Sequence, residues 1–323
     1  MALQISLIAT LKDEADSIEG FLDGLLRQSR PPDEIVLVDG GSTDGTVAAI
    51  ERVREASEVP IRLIEAPGTN ISEGRNIAVA EAAHEAIAVT DAGTRPRPDW
   101  LQKLVAPLER DPDLCVSSGF FLPGGDGWRR RALAIAITPQ RAEIDPDRFL
   151  PSSRSIAFRR PWWRKVGGYP EWLRHCEDLV FDLELRRADA SFAFVPDAIV
   201  VWDARPDLRS LARQYFNYAR GDGHANLWPK RHLARYLAYA IGAVVLARRP
   251  GGLVLAPLLA GWIAYQAKFM RRVLRMPPSR KRSEQLLGLA YVPLVVTTGD
   301  VAKLVGYAVG RWERLSGRSG PPG

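Results

Sequence analysis

Only two cysteines occur in 323 residues, Cys115 and Cys176, and they stand at no metal-ligand spacing. That scarcity excludes a secreted disulfide scaffold and a structural zinc module, and it fits a reducing compartment. Missing too is a basic stretch ahead of the short apolar run in the first ten residues, so no signal peptide is predicted. No repeat of fixed period and no low-complexity tract are visible apart from the terminal Gly-Arg-Ser-Gly-Pro-Pro-Gly, which reads as a disordered end. Acidic residues thin out along the chain: residues 1–212 hold 26 Lys/Arg against 34 Asp/Glu, whereas residues 213–323 hold 18 against 4. The basic residues of that tail are interleaved with long apolar runs rather than with polar, turn-rich sequence, which argues against nucleic acid and for a membrane.

With 46% hydrophobic and 25% charged residues the chain can bury a large core. Its first part alternates. Residues 4–10 form an apolar run of strand length, and Ile18, Phe21, Leu22, Leu25 and Leu26 then recur at helical spacing within residues 14–28. Pro31-Pro32-Asp33 ends that helix before a strand over residues 34–38, which runs into Asp39-Gly-Gly-Ser-Thr-Asp-Gly-Thr46 and another helix. A strand over 61–65, a helix over 73–83 and a strand over 86–90 follow, and a further helix is predicted around 177–188. Such alternation implies an α/β fold, a mostly parallel sheet with helices on both faces. Ligands of such sheets bind at the carboxyl ends of the strands, so the loops near Thr10, Asp39, Asn70 and Asp91 should converge on one pocket.

Ser42, Thr43, Asp44 and Gly45 suit either turn and helix-cap chemistry or a ligand. Asp39, at the end of a buried strand, is poorly placed for solvation or capping, and ligand contact is expected of it. The order of Thr10-Leu-Lys-Asp-Glu14, Val38-Asp-Gly-Gly-Ser-Thr-Asp-Gly-Thr46, Gly74-Arg-Asn76, Asp91-Ala-Gly with Pro98-Asp-Trp-Leu101, and Val166-Gly-Gly-Tyr-Pro-Glu171 followed by Glu177-Asp178 resembles the family 2 glycosyltransferases of GT-A fold. The resemblance covers residues 4–203.

It implies that Thr10, Glu14 and Asp39 hold the nucleoside of a nucleotide diphosphate sugar and that Arg75 approaches the base or the diphosphate. Asn76 is read as a cap. Asp91 stands where the family carries a metal-binding Asp-x-Asp, but the sequence here is Asp91-Ala92-Gly93, so a Mg²⁺ or Mn²⁺ cofactor would rest on one carboxylate, with Thr94, Arg95 or a water filling the gap. Asp178 matches the general base of an inverting displacement, and Glu177 would orient a neighbour or the acceptor. Acidic residues in a first helical turn are also favoured by the helix dipole. Arg154 and Ser155, with Ser153, precede a strand that would bring them to the acceptor or leaving-group side. Trp162, Trp163, His175 and Cys176 read as packing residues.

Processive members of the family carry Gln-x-x-Arg-Trp. The segment 213–224 offers Gln214 and Arg220 at a different spacing, so long-chain polymer synthesis is not supported. Its helix would either place Tyr215, Tyr218 or Arg220 over the active site or lie on anionic lipid. The division expected is therefore a catalytic domain over 1–212 and a membrane-associated region over 213–323. In the latter, uncharged stretches at 236–247 and 251–267 flank Arg248-Arg249-Pro250 as a tight hairpin or two short tilted spans, and Lys230, Arg231 and Arg235 before them with the basic block 268–282 after them keep both flanks cytosolic. Residues 286–310 are apolar but hold Pro293, Asp300 and Lys303. An Asp300–Lys303 pair on one helix face points to a protein-packed or interfacial helix.

The leading expectation is an inverting glycosyltransferase at the cytoplasmic membrane, catalytic domain on the cytosolic face, acting on a lipid-linked or membrane-proximal acceptor. A nucleotidyltransferase is the alternative enzyme, opposed by the lack of a Gly-rich triphosphate loop where Leu11-Lys12-Asp13-Glu14 stands. A non-catalytic sugar-nucleotide sensor is the third reading.

Overall fold

The structure, a computed structural model, describes residues 3–248, 251–275 and 282–320. Arg249 and Pro250 of the expected hairpin turn, residues 276–281 of the basic block and the last three residues lie outside the described residues. The chain divides into two compact units, one of Met1–Leu122 with Arg141–Asp203, the other of Pro123–Gln140 with Ala204–Gly323. A boundary at 212 would cut a helix, Leu208–Ala225, and the segment 123–140 joins the second unit rather than the first.

The first unit is built on an eight-stranded mixed sheet. Its strands are β1 (Ile5–Leu11), β2 (Glu34–Asp39), β3 (Ile61–Glu65), β4 (Ala86–Val89), β5 (Thr94–Pro96), β6 (Val116–Gly124), β7 (Ile156–Arg159) and β8 (Phe192–Asp203), in the order β3-β2-β1-β4-β7-β6-β8-β5. The parallel character expected from the sequence holds for β3-β2-β1-β4, whereas β4–β7, β6–β7 and β5–β8 pair antiparallel. The reason lies in the connections, because regular helix crossovers link only the first four strands, and crossovers are what parallel neighbours require.

Strand side chains alternate between two cores. Ile5, Leu7, Ala9, Ile35 and Leu37 face α1 (Ile18–Leu26), α2 (Thr46–Ala56) and α4 (Trp100–Arg110), through residues such as Phe21, Leu22, Ile50, Trp100 and Leu104. Ile8, Val36, Val38, Ile87 and Val89 face α3 (Ile71–Glu81) and α7 (Glu177–Arg187), through Ala78, Val79, Phe181 and Leu185. Each large aliphatic chain buried in this way contributes roughly 1.5–3 kcal/mol. The short helices α5 (Trp128–Ile137) and α6 (Arg160–Lys165) complete the set through α7.

The second unit holds α5 together with α8 (Leu208–Ala225), α9 (Pro229–Ala247), α10 (Gly252–Leu274) and α11 (Arg282–Leu315). Among the described residues, α10 and α11 are long and apolar enough to cross a membrane. The helix α10 leaves Leu253, Val254, Leu259, Trp262 and Ile263 exposed. Asp300 is buried on α11, and Lys303 stands 3.9 Å from it on the same face, as the sequence implies. Arg235 Nε lies 3.3 Å from that carboxylate, and the Tyr265 hydroxyl donates to it at 2.7 Å.

Candidate active site

Strand register brings the loops together. Leu11 is level with Asp39 across β1 and β2, and Ile8 with Val89 across β1 and β4; continuing the latter by two residues sets Asp91 beside Thr10. The first two loops are stitched to each other: the Asp13 amide donates to Ser42 Oγ, the Thr43 amide to Asp13 Oδ1 and the Glu14 amide to Thr46 Oγ1, each at 2.8 Å. Asp44 also receives the amides of Ala15 and Thr46, both at 3.1 Å. The Ser42–Thr46 turn therefore does structural work, and it explains why α1 starts at Ile18 rather than near residue 14. Asp39 departs from the expectation that it is poorly placed for capping. Its buried carboxylate accepts the amides of Gly41 at 3.0 Å and Ser42 at 2.8 Å, and also the Ser42 hydroxyl, so it shapes its own turn. Glu14, half-buried, accepts from the Ser17 hydroxyl at 2.5 Å.

The helix α3 carries the central arginine. Asn70 is its N-cap, completing a capping box with Glu73, so Asn76 is not the cap expected from the sequence. A Cβ on Gly74 would lie 2.8 Å from Thr10 Cγ2, which is why the helix can press against β1 at that point. Two residues on, Asn76 binds the Gly167–Glu171 loop on both sides. Its Oδ1 accepts from the Tyr169 amide at 2.8 Å and Trp163 Nε1 at 3.0 Å; its Nδ2 donates to the Tyr169 carbonyl at 2.8 Å and to Glu171 at 2.9 Å. The loop is made for this approach, since Gly168 has φ +80° and a Cβ there would sit 2.7 Å from Asn76 Oδ1. Asn76→Ala removes four bonds and should cost about 2–4 kcal/mol. Thermal unfolding should show that loss, and single-turnover transfer should slow while donor affinity holds; unchanged values of both would refute the clamp.

What the clamp positions is the N-terminus of α7. Arg75, 2% exposed, donates to Asp91 Oδ1 at 2.8 Å and to Glu177 Oε1 at 2.9 Å, and its guanidinium lies 5.2 Å over the Tyr169 ring. Burial opposes that charge, but the carboxylates of Asp91 and Glu177 overcome it and hold Arg75 ionised, above its ordinary value. Ser152 Oγ donates to Asp178 Oδ2 at 3.3 Å and accepts from Arg154 Nη1 at 3.0 Å, while Arg154 Nε stands 3.5 Å from Asp91 Oδ2. One connected cluster thus contains Asp91, Arg75, Glu177, Asp178, Ser152 and Arg154.

Burial, then the neighbouring Asp178, raises Glu177 to about 7, against the pull of Arg75. The folded protein keeps a proton there that the unfolded chain gives up near 4.5, so that stabilisation is complete below about pH 4.5 and is lost as pH rises through 7. Glu177→Gln removes this titration. Its melting temperature should gain on the wild type between about pH 5 and 8, and parallel profiles would contradict the assignment. Asp182, one turn further along α7, is buried, and burial followed by Asp178 holds its carboxyl well above the usual range.

The remaining candidates fall elsewhere. Ser155 is buried, accepting from Trp100 Nε1 at 2.8 Å and donating to the Ala198 carbonyl at 3.2 Å, so its hydroxyl is a core group rather than an acceptor contact. Gln214 and Arg220 belong to the second unit, where Gln214 bonds the Tyr218 hydroxyl at 2.9 Å and Arg220 pairs with Glu313 at 2.6 Å. Arg75 is enclosed by carboxylates rather than presented to a diphosphate. Asn76 as a clamp and Ser152 as a bridge are not visible in the sequence; the nearest signal is the adjacency of Asn76 to Arg75.

The residues around Asp91 do not fit a divalent cation. Both its oxygens face guanidinium groups, at 2.8 and 3.5 Å. Thr94 Oγ1 donates to the Asp91 carbonyl at 2.8 Å, and Arg95 pairs with Asp203 at 2.7 Å, so neither fills the gap left by Gly93. Among the described residues, no three His, Cys, Asp or Glu side chains converge on a metal position.

Known proteins agree with this architecture. Glycosyltransferase AglE of Haloferax volcanii is 23% identical over 245 residues, 75% of this chain and 80% of that protein. The O-antigen chain rhamnosyltransferase RfbN of Salmonella typhimurium is 24% identical over 230 residues, 67% of this chain and 71% of that one. The solved mannosyltransferase PcManGT from Pyrobaculum calidifontis, in complex with GDP-Man and Mn²⁺, shares the fold with a TM-score of 0.59 at 20% identity, over 99% of this chain and 89% of its own. The sequence pattern of Glycosyl transferase family 2 matches residues 6–167, from β1 to the loop that Asn76 clamps, and the chain belongs to that family of glycosyltransferases.

Proposed function

We propose that this glycosyltransferase moves a sugar from a nucleoside diphosphate donor to an acceptor hydroxyl by a single displacement, with Asp178 as general base. The observation that carries the reading is the placement of Asp178 at the start of α7, linked through Ser152 and Arg154 to Asp91 at the strand end. The acceptor oxygen bonds to the anomeric carbon as the bond from that carbon to the phosphate oxygen breaks. The hydroxyl proton passes to Asp178, and the electron pair leaves on the nucleoside diphosphate. Thr10, Glu14 and Asp39 belong to the loops assigned to the nucleoside; Arg75 fixes Asp91 relative to Glu177 and so holds the donor side in register with the base. One displacement inverts the anomeric centre. Purified protein offered a panel of nucleotide sugars should slowly hydrolyse one of them and release the inverted anomer, read by NMR. Retained configuration would overturn the single displacement, and binding without turnover would favour a sensor.

The acceptor is assigned to a membrane surface as a lipid-linked or membrane-proximal glycan, with the catalytic unit on the cytosolic side. The exposed apolar face of α10, the length of α10 and α11, and the basic residues Lys230, Arg231 and Arg235 near the start of α9 support this. The protein should sediment with membranes and be released by detergent but not by alkaline carbonate; release by high salt would show surface adhesion alone.

A further inference from the structure

On the donor-site reading proposed above, we infer that the Arg154 guanidinium stands at Asp91 in place of a divalent cation and itself meets the donor diphosphate. Two arginines reach Asp91, and one is already committed. Arg75 is closed in between Asp91 and Glu177 and has almost no surface to offer a ligand. Arg154 is different, because 19% of its side chain is exposed. Its Nη1 donates to Ser152 Oγ at 3.0 Å, its Nε lies 3.5 Å from Asp91 Oδ2, and its guanidinium carbon stands 4.9 Å from the Trp202 ring centre and 5.6 Å from that of Phe121. The planar cation is held at its edge by a hydroxyl and a carboxylate, with two aromatic rings packed beside it. A fork held in this way suits two phosphate oxygens and needs little rearrangement as negative charge grows on the leaving group.

A metal ion in the same place meets the opposite conditions. It would coordinate an Asp91 oxygen at about 2.0–2.1 Å. Each of those oxygens already has a guanidinium nitrogen beside it, at 2.8 or 3.5 Å, so the ion would be pressed against a like charge. The second carboxylate that could compensate is absent, although the backbone at Gly93 would accept a side chain: a Cβ there meets nothing within 4 Å, and its φ is outside the left-handed region.

Titrating UDP and GDP in turn into the full-length, detergent-solubilised protein, once in EDTA and once in Mn²⁺, tests the inference. Whichever diphosphate binds should do so with affinities within about threefold of each other in the two buffers, and Arg154→Gln should weaken binding in EDTA by about tenfold or more while its thermal unfolding stays near the wild type. Gly93→Asp should acquire Mn²⁺-dependent affinity, a gain of about tenfold. Wild-type binding that needs Mn²⁺, unchanged affinity in Arg154→Gln, or a Gly93→Asp protein indifferent to Mn²⁺ would each count against Arg154 in this role while leaving the donor site standing. Failure of both diphosphates to bind in either buffer would instead bring down the donor-site reading, and the role of Arg154 with it.

Discussion

Asp178→Asn is expected to bind the donor as the wild type does and to transfer sugar about a hundredfold more slowly or worse, the range that a positioned general base contributes. The substitution keeps the shape of the side chain. Its amide oxygen can still accept from the Leu179 amide, which reaches Oδ1 at 2.8 Å, while its amide nitrogen can donate to Ser152 Oγ, which stands 3.3 Å from Oδ2. It takes no proton, however, so the attacking hydroxyl must shed its own to water. Loss confined to the rate, at unchanged nucleotide affinity, separates this effect from a collapsed site. Glu177→Gln should do less, because Glu177 is enclosed beside Arg75 and positions it. Near-normal transfer in Asp178→Asn would remove this residue from the mechanism.

Gly306→Val should destabilise the second unit more than any surface substitution there. The helices α8 and α11 meet through glycine on both sides, and a Cβ at Gly306 would lie 2.2 Å from the Phe216 carbonyl oxygen. A Cβ at Gly310 would lie 2.1 Å from the Arg220 carbonyl oxygen, and one at Gly223 would lie 2.7 Å from the Arg311 amide. These are backbone atoms of helices and cannot rotate aside, so the helices must part. Gly306 and Gly310 form the Gly-x-x-x-Gly spacing that lets helix backbones approach closely. Separation would also break the bonds of Glu313 to Arg220, 2.6 Å, and to His224, 2.7 Å. The cost should be about 3 kcal/mol or more, at the upper end for overpacking. Gly242, in α9 with nothing within 4 Å of its would-be Cβ, supplies the control: Gly242→Ala should be neutral or stabilising by up to about 1 kcal/mol. Thermal unfolding in detergent reads both, and a Gly306→Val protein that melts with the wild type would show that the helices can slide apart freely.

The first four strands and the helices between them are legible in the sequence because each is a local pattern. Apolar runs such as residues 34–38 are bounded by Pro31-Pro32-Asp33 and Asp39-Gly-Gly, and α7 opens on two acids after a Gly-Gly-Tyr-Pro turn. The later strands are less legible. The strand at 156–159 reads as one, but β5 and β8 depend on antiparallel partners far away in sequence, and nothing in Thr94-Arg95-Pro96 marks it as the mate of residues 200–202. The apolar stretch 286–310 reads as a packed helix because Asp300 and Lys303 share a face, but the Gly-x-x-x-Gly seam gains its meaning only from the helix it meets.

By itself the sequence determined that an α/β sheet gathers Thr10, Asp39 and Asp91 at its strand ends, because strand length, period and order fix which loops share an edge. It also determined that a carboxylate is missing at Gly93, which is a matter of composition. Tertiary structure alone decided what the charged groups do with each other. Arg75 reads as a diphosphate ligand until the fold sets Glu177, 102 residues away, 2.9 Å from it. Ser155 reads as an acceptor contact until Trp100 and the Ala198 carbonyl take its hydroxyl into the core. Charge pairing is a property of distances of about 3 Å, and between residues so far apart in sequence those distances are set by strand order and by clamps such as Asn76, which no local spacing encodes.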